Sequence, residues 1–152
     1  MVTVHQVIRV GFLVAAILYL PAHSRSQDID EKSATPILWQ DPGPITARDM
    51  RVGPGARHLA PVGPFTFVKE DKGGESPKFE VKDARGTTWV VKLGEEAQAE
   101  TVATRLVWSV GYFTEEAYYL PRVRIRGMKK LSRGMDFVGS RGLIRGARFA
   151  PR

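Results

Sequence analysis

One stretch of this 152-residue chain has a clear helical pattern, and it stands between segments that alternate like β-strands. Between residues 95 and 110, apolar residues recur at the spacing of an amphipathic α-helix. We expect this apolar stripe to pack against the rest of the fold. Gly111 should end the helix, because glycine adopts the left-handed conformation found at helix C-termini. The stripe consists of Ala99, Val102, Ala103, Leu106, Val107 and Val110.

Alternation of apolar and polar residues predicts strands on both sides of this helix. Residues 78–82 and 87–93 should form a hairpin around a turn at residues 83–86, after a short strand at residues 65–68. Another strand is expected at residues 122–126. The side chains predicted to face the core are Phe79, Val81, Trp89, Val91, Leu93, Val123 and Ile125.

This order of elements predicts an α+β fold, with a small antiparallel β-sheet and one packed amphipathic helix. We assign that domain to residues 65–152. Residues 25–64 are rich in proline and glycine, which disfavour regular elements, so they should form an extended segment. Pro121 is expected to end the aromatic segment before it. The last part of the chain has few apolar anchors, namely Phe137, Val138, Leu143, Ile144 and Phe149.

Residues 1–24 have the order of features found in a secretory signal peptide. Arg9 supplies a positive charge, residues 10–20 are an unbroken apolar run, and Ala22-His-Ser24 offers small residues for cleavage. The run is shorter than the about 20 apolar residues of a transmembrane helix, although an uncleaved anchor is the alternative. We therefore expect an exported protein, periplasmic or extracellular, that is not integral to the membrane once the signal is cleaved.

The residue types present exclude several kinds of chemistry. The chain has no cysteine, so it has no disulfides, thiolate metal sites or cysteine nucleophiles. Two of its three histidines lie in the signal region, which leaves His58 and argues against a zinc site or a histidine-based triad. A hydrolase using Glu115, Glu116 or Asp136 with His58 is a weak hypothesis, because adjacent glutamates on a helix point in different directions.

The net charge of +7 is concentrated near the C-terminus. Residues 122–152 contain ten lysines and arginines against one acid, Asp136. Such a basic segment can contact an anionic lipid surface, nucleic acid or an acidic partner, or it can simply form solvated strands. Because exported proteins rarely meet nucleic acid, the alternative function is a non-enzymatic binding module for an anionic surface or partner.

A glycine pair, a strand lysine and a helix glutamate follow one another in a suggestive order. Gly73 and Gly74 allow backbone N–H groups to approach a phosphate, and Ser76 adds a hydroxyl. Lys92 ends a strand, where it can meet phosphate oxygens, and Glu100 on the helix can pair with it and orient it. Each feature also has an ordinary interpretation, as a hairpin turn, an edge lysine or a helix-flank charge.

This order resembles the N-terminal lobe of HipA-like and related atypical kinases, as in uncharacterised exported bacterial proteins with a kinase-like fold. The resemblance covers residues 65–126. It depends on four segments: Gly73-Gly-x-x-Pro-Lys-Phe79, Trp89-Val-Val-Lys92, Glu100-x-x-Ala-Thr-Arg-Leu106 and Gly111-Tyr112.

The resemblance implies a nucleotide site with ATP as its ligand. Gly73, Gly74 and Ser76 would belong to the phosphate loop, Lys92 would be the phosphate lysine, and Glu100 would be its partner. Lys78 would join the site in a less defined role.

The sequence departs from the kinase pattern after the helix. A kinase needs a catalytic aspartate and an aspartate for Mg²⁺, both in its second lobe. The later acids are Glu115, Glu116 and Asp136, and none has such a context. We therefore expect no phosphoryl transfer by this chain alone, and a missing C-terminal lobe is one expected partner of what would then be a fragment.

Overall fold

A computed structural model describes residues 36–152, and the predicted signal peptide lies outside them. None of the helices in residues 36–152 has the length and hydrophobicity that a membrane span requires. Single-turn 3-10 helices lie at Ile45–Ala47, Arg57–Leu59 and Met135–Phe137, and Ser140–Gly142 is a turn with a left-handed residue, Arg141, at its centre. The longer elements are β1 (Phe65–Asp71), β2 (Lys78–Lys82), β3 (Thr88–Lys92), α1 (Glu96–Ser109), β4 (Tyr118–Arg126), β5 (Val138–Gly139) and β6 (Leu143–Pro151).

The strands form one sheet in the order β3-β2-β1-β4-β6-β5, and β3 also pairs with β6. That second pairing closes five strands into a barrel, with β5 attached outside the closed circuit. The predicted α+β fold with a sheet and one helix is confirmed. The sheet differs from the expected small antiparallel sheet in two ways: it closes into a barrel, and β1 and β4 run parallel over two residue pairs. Closure leaves fewer unpaired strand edges.

The barrel interior holds the side chains that alternation predicted. Val81, Val91 and Leu93 are fully buried, as is Phe79 beside them. On β4, the predicted inward positions Val123 and Ile125 are also buried. Phe149 on β6 joins this cluster, with its ring centroid 5.1 Å from that of Phe65. The core is therefore built from alternate residues of all five barrel strands, together with Leu131 and half-buried methionines.

The turn between β2 and β3 is held by a buried carboxylate. Asp83 accepts hydrogen bonds from the backbone N–H groups of Arg85 and Thr87, both at 2.9 Å, and from the indole nitrogen of Trp89 at 3.1 Å. Burial alone would raise the pKa of this carboxyl group, but the three hydrogen bonds outweigh it and hold the pKa below its usual 3.8. Asp83 thus links the turn to the largest core side chain.

The helix lies where the sequence predicted, but it packs with the opposite face. Its buried residues are the small ones, Ala97, Thr101 and Ser109, which allow the backbone to approach β4 and β6 closely. Gly111 follows the helix with φ of 102°, as expected for a stop. The prediction that the apolar stripe packs inward is wrong: its members Ala99, Val102, Ala103, Leu106, Val107 and Val110 are all exposed.

Two further expectations are corrected. Pro121 does not end a segment, because β4 continues through it. The register pairs Leu120 with Ala147 and the residue after Pro121 with Arg145, so the proline, which lacks an amide donor, has no partner in the ladder. Phe137 is 36% exposed rather than anchored in the core.

The outward stripe of α1 gives a direct test of its packing. Leu106 is 55% exposed, so Leu106→Gln should change the free energy of unfolding by less than about 0.5 kcal/mol. Leu93→Ala, at a fully buried position, should cost about 2–5 kcal/mol. Urea denaturation of both variants measures the difference. A loss of more than about 1.5 kcal/mol for Leu106→Gln would show that the stripe is packed.

Asp83 should make stability depend on pH in the acid range. A carboxyl group whose folded-state pKa is depressed stabilises the fold above its unfolded-state pKa, and this contribution is lost as pH falls through the folded-state pKa. Asp83→Asn should cost about 1–3 kcal/mol at neutral pH and flatten the loss of stability below about pH 4. Asp136→Asn, at an exposed acid, is the matched control. The same acid dependence in wild type and Asp83→Asn would refute the assignment.

Candidate functional site

Three cationic residues stand side by side on the outside of the barrel. Lys78 on β2 pairs in register with Lys92 on β3, and Lys92 pairs with Arg148 on β6. Residues directly opposite each other in antiparallel strands have side chains on the same face, with Cβ atoms about 4.5–5.5 Å apart. The neighbouring positions Phe79 and Val91 are fully buried, so the cations project away from the core.

Lys92, the middle cation, is held by the helix. Its ammonium group donates a hydrogen bond to a carboxylate oxygen of Glu100 and lies 3.8 Å from a carboxylate oxygen of Glu96, one turn earlier on α1. Its side chain is 18% exposed. The lysine and glutamate singled out in the sequence therefore form an ion pair, which fixes the direction of the lysine side chain.

The outer two cations also have carboxylate partners. The Lys78 ammonium group lies 3.8 Å from a carboxylate oxygen of Asp71, and Arg148 forms an ion pair with Glu115. Like charges directly opposite each other destabilise a strand pair, so these carboxylates offset a cost that the register imposes. Arg148 is nearly buried, and its Nε has no hydrogen-bond partner among the described residues.

The glycine loop between β1 and β2 is held by the side chains of Asp71 and Arg133. The Asp71 carboxylate accepts the Gly73 N–H at 2.9 Å, and this hydrogen bond, more than the nearby lysines, lowers the pKa of Asp71. The Arg133 guanidinium donates to the carbonyl oxygens of Gly74 and Glu75, both at 2.8 Å. Gly74 has φ of 65°, a left-handed conformation that suits glycine.

The loop and the row of cations enclose one concavity, which we call the Lys92 pocket. Its volume is about 430 Å³. Among the six residues proposed from the sequence, Gly74, Ser76, Lys78 and Lys92 line it. Gly73 and Glu100 do not line it. The Gly73 amide donates a hydrogen bond to Asp71, and Glu100 contacts Lys92 from α1. The other lining residues are Glu75, Val90, Glu115, Arg148, Ala150 and Pro151.

Arg133 and Arg148 were not predicted as site residues, because both come from the C-terminal part of the chain, far from the glycine loop in sequence. Nothing local marks either one, and only the pairing of β6 with β3 brings Arg148 next to Lys92. Two of the acids considered for a hydrolase lie apart: Glu115 lines the Lys92 pocket, whereas Asp136 lines a different concavity. Within residues 36–152, no group of three or more histidines and acids could hold a metal ion.

The Arg133 contacts predict a rigid loop. Arg133→Ala removes the hydrogen bonds to the loop carbonyls and should lower the backbone NMR order parameters of Gly74 and Glu75 from about 0.85 to below about 0.6. Arg122→Ala, an equal change at an exposed position on β4, should leave them unaltered. Unchanged order parameters in the Arg133 variant would show that the loop is fixed by other contacts.

The sequence matches no protein-family model, and neither a curated protein nor a solved structure is significantly similar to it. What the Lys92 pocket can bind is therefore decided by its own side chains. These are a row of three cations, a carboxylate partner for each, and a fixed glycine loop at one side.

Proposed function

We propose that the Lys92 pocket binds the phosphate groups of a nucleotide such as ATP. The observation that carries this proposal is the Lys92–Glu100 ion pair beside the glycine loop. A lysine on a strand, oriented by a helix glutamate, is the arrangement that kinases use to hold ATP phosphates. The resemblance to the N-terminal lobe of HipA-like kinases implies the same residues.

The pocket offers suitable chemistry for a phosphorylated ligand. Lys78 and Lys92 provide point charges, and Arg148 adds a planar guanidinium group. Gly74 has no side chain to block an approaching phosphate, and Ser76 can donate its hydroxyl. Val90, Ala150 and Pro151 provide apolar contacts for the rest of the ligand. The pocket volume of about 430 Å³ falls among those of small-molecule sites, about 300–1,000 Å³.

Binding should be weak because each cation already has a partner. A phosphate must compete with Asp71 for Lys78, with Glu100 for Lys92 and with Glu115 for Arg148. We expect a dissociation constant on the order of 1 mM, which corresponds to about 4 kcal/mol. The proposal is limited to binding and does not include phosphoryl transfer. It retains the exported location that residues 1–24 predict.

Lys92→Ala is the direct test. Removing the central cation should weaken ATP binding at least about tenfold, a change of about 1.4 kcal/mol, measured by titration calorimetry at low ionic strength. Lys82→Ala is the matched control, because Lys82 ends the neighbouring strand β2 but is exposed and outside the pocket. The control should change the dissociation constant by less than about twofold.

Two results would contradict the proposal. One is no measurable binding of ATP at millimolar concentration. The other is an equal loss of affinity in the Lys92→Ala and Lys82→Ala variants, which would indicate attraction to net charge rather than to a site. Urea denaturation of both variants checks that each is folded.

A further inference from the structure

The cationic side chains of the basic C-terminal segment fall into separate groups. Arg148 and Arg152 are in ion pairs, and Arg133 holds the glycine loop. Five others surround an open cleft between the end of β4 and the turn that precedes β6. We call it the basic cleft, and its cations are Arg124, Arg126, Lys129, Lys130 and Arg141.

The positive charge of the basic cleft is not compensated. All five cations are exposed, and none forms an ion pair within residues 36–152. No acid is among the described residues that line the cleft. Clustered like charges repel each other, and a bound anion relieves that repulsion. The cleft therefore differs from the Lys92 pocket, in which every cation has a carboxylate partner.

The floor of the basic cleft is apolar. Met128, Met135 and Val138 line it and pack against the hydrophobic core, each half-buried. The cleft volume is about 820 Å³, within the about 300–1,000 Å³ of small-molecule sites. Methionine side chains adapt to ligands of irregular shape. Phe137, which follows Asp136 and precedes the floor residue Val138, is 36% exposed and lines a neighbouring concavity. Cations beside half-buried apolar side chains that line an open cleft suit an anion that carries a hydrocarbon part.

The turn that carries Arg141 is strained. Its φ of 56° makes it the one non-glycine residue with positive φ among the described residues. Such a conformation costs on the order of 1 kcal/mol, and strained residues of this kind cluster at functional sites. The turn also lies close to β4: a Cβ atom at Gly142 would clash with the Ile125 carbonyl oxygen, so only glycine fits there. The Arg124 guanidinium donates to the Arg141 carbonyl at 3.2 Å, which links the two sides of the cleft.

We propose that the basic cleft binds the phosphate headgroup of an anionic phospholipid in a bilayer. The five cations meet the headgroup and its neighbours, and the methionine and valine floor contacts the apolar region below it. Cations near an anionic bilayer each contribute to binding, and apolar side chains beside them enter the interface. This site is separate from the Lys92 pocket and does not depend on nucleotide binding.

The test compares the full chain on vesicles of phosphatidylcholine and on vesicles that also contain phosphatidylglycerol. The apolar run at residues 10–20 can contact either vesicle, so the difference between the two isolates the effect of headgroup charge. The cleft variant carries Arg126→Gln, Lys129→Gln and Lys130→Gln. The matched control carries Arg51→Gln, Lys72→Gln and Lys82→Gln, an equal loss of exposed positive charge outside the cleft.

The cleft variant should lose affinity for the anionic vesicles on the order of 100-fold, about fivefold for each cation. The control should lose far less. Met128→Gln keeps the charge but makes the floor polar, so it should weaken binding several-fold while the protein remains folded by circular dichroism. Loss confined to the cleft variants supports the site.

Other outcomes would overturn it. Equal losses of vesicle affinity in the cleft and control variants would indicate diffuse electrostatic attraction. Unchanged vesicle affinity of the Met128→Gln variant would show that the apolar floor does not contribute to binding. Equal binding to both kinds of vesicle would exclude headgroup recognition. Binding of soluble glycerol phosphate as tight as that of the vesicles would identify a small-molecule phosphate site. Binding to double-stranded DNA but not to vesicles would identify a different class of partner.

Discussion

Both the core and the Lys92 pocket depend on the pairing of β6 with β3. That pairing places Phe149 opposite Val91 inside the barrel and Arg148 opposite Lys92 outside it. Inside, the Phe149 ring lies 6.5 Å from the ring of Trp89 and contacts the start of β1. Outside the barrel, Arg148 completes the row of cations formed with Lys78 and Lys92. Without this pairing the sheet would be open, with two exposed edges, and Arg148 would not lie beside Lys92.

The two proposed sites use positive charge in different ways. In the Lys92 pocket, each cation is held by its own carboxylate, so geometry rather than net charge would select the ligand. Around the basic cleft, five cations face solvent without an acid among the lining residues, so charge would attract the ligand and the apolar floor would select it. The first arrangement suits a compact phosphorylated molecule, and the second suits an extended anionic surface.

Local patterns in the sequence predicted the elements well and their contacts poorly. Alternation located the hairpin and its inward side chains because a strand shows its buried face at every second residue. Helical periodicity located α1 but not its packed face. The small residues Ala97 and Thr101 pack against the barrel, and no local pattern in the sequence predicts that the face with the larger apolar residues points outward.

Among the proposed site residues, only those close together in the sequence could be predicted to lie near each other. Lys92 and Glu100 are eight residues apart, and a strand followed by a helix brings them together. Arg133 and Arg148 reach the same region only through the tertiary fold, so no spacing rule points to them. The prediction that Pro121 ends a segment was wrong, because a proline interrupts a strand only where the partner strand requires a hydrogen bond from that position. The strand register decides this, and it leaves Pro121 without a partner.

Phosphate binding in the Lys92 pocket is tested most sharply by NMR mapping of ATP on the isotopically labelled chain. If ATP binds in the Lys92 pocket, the amide shifts of Gly74, Ser76, Lys92 and Arg148 will move saturably and together, with one dissociation constant. Shifts confined to residues 126–130, or spread over the whole basic surface without saturation, would contradict a phosphate site in the Lys92 pocket.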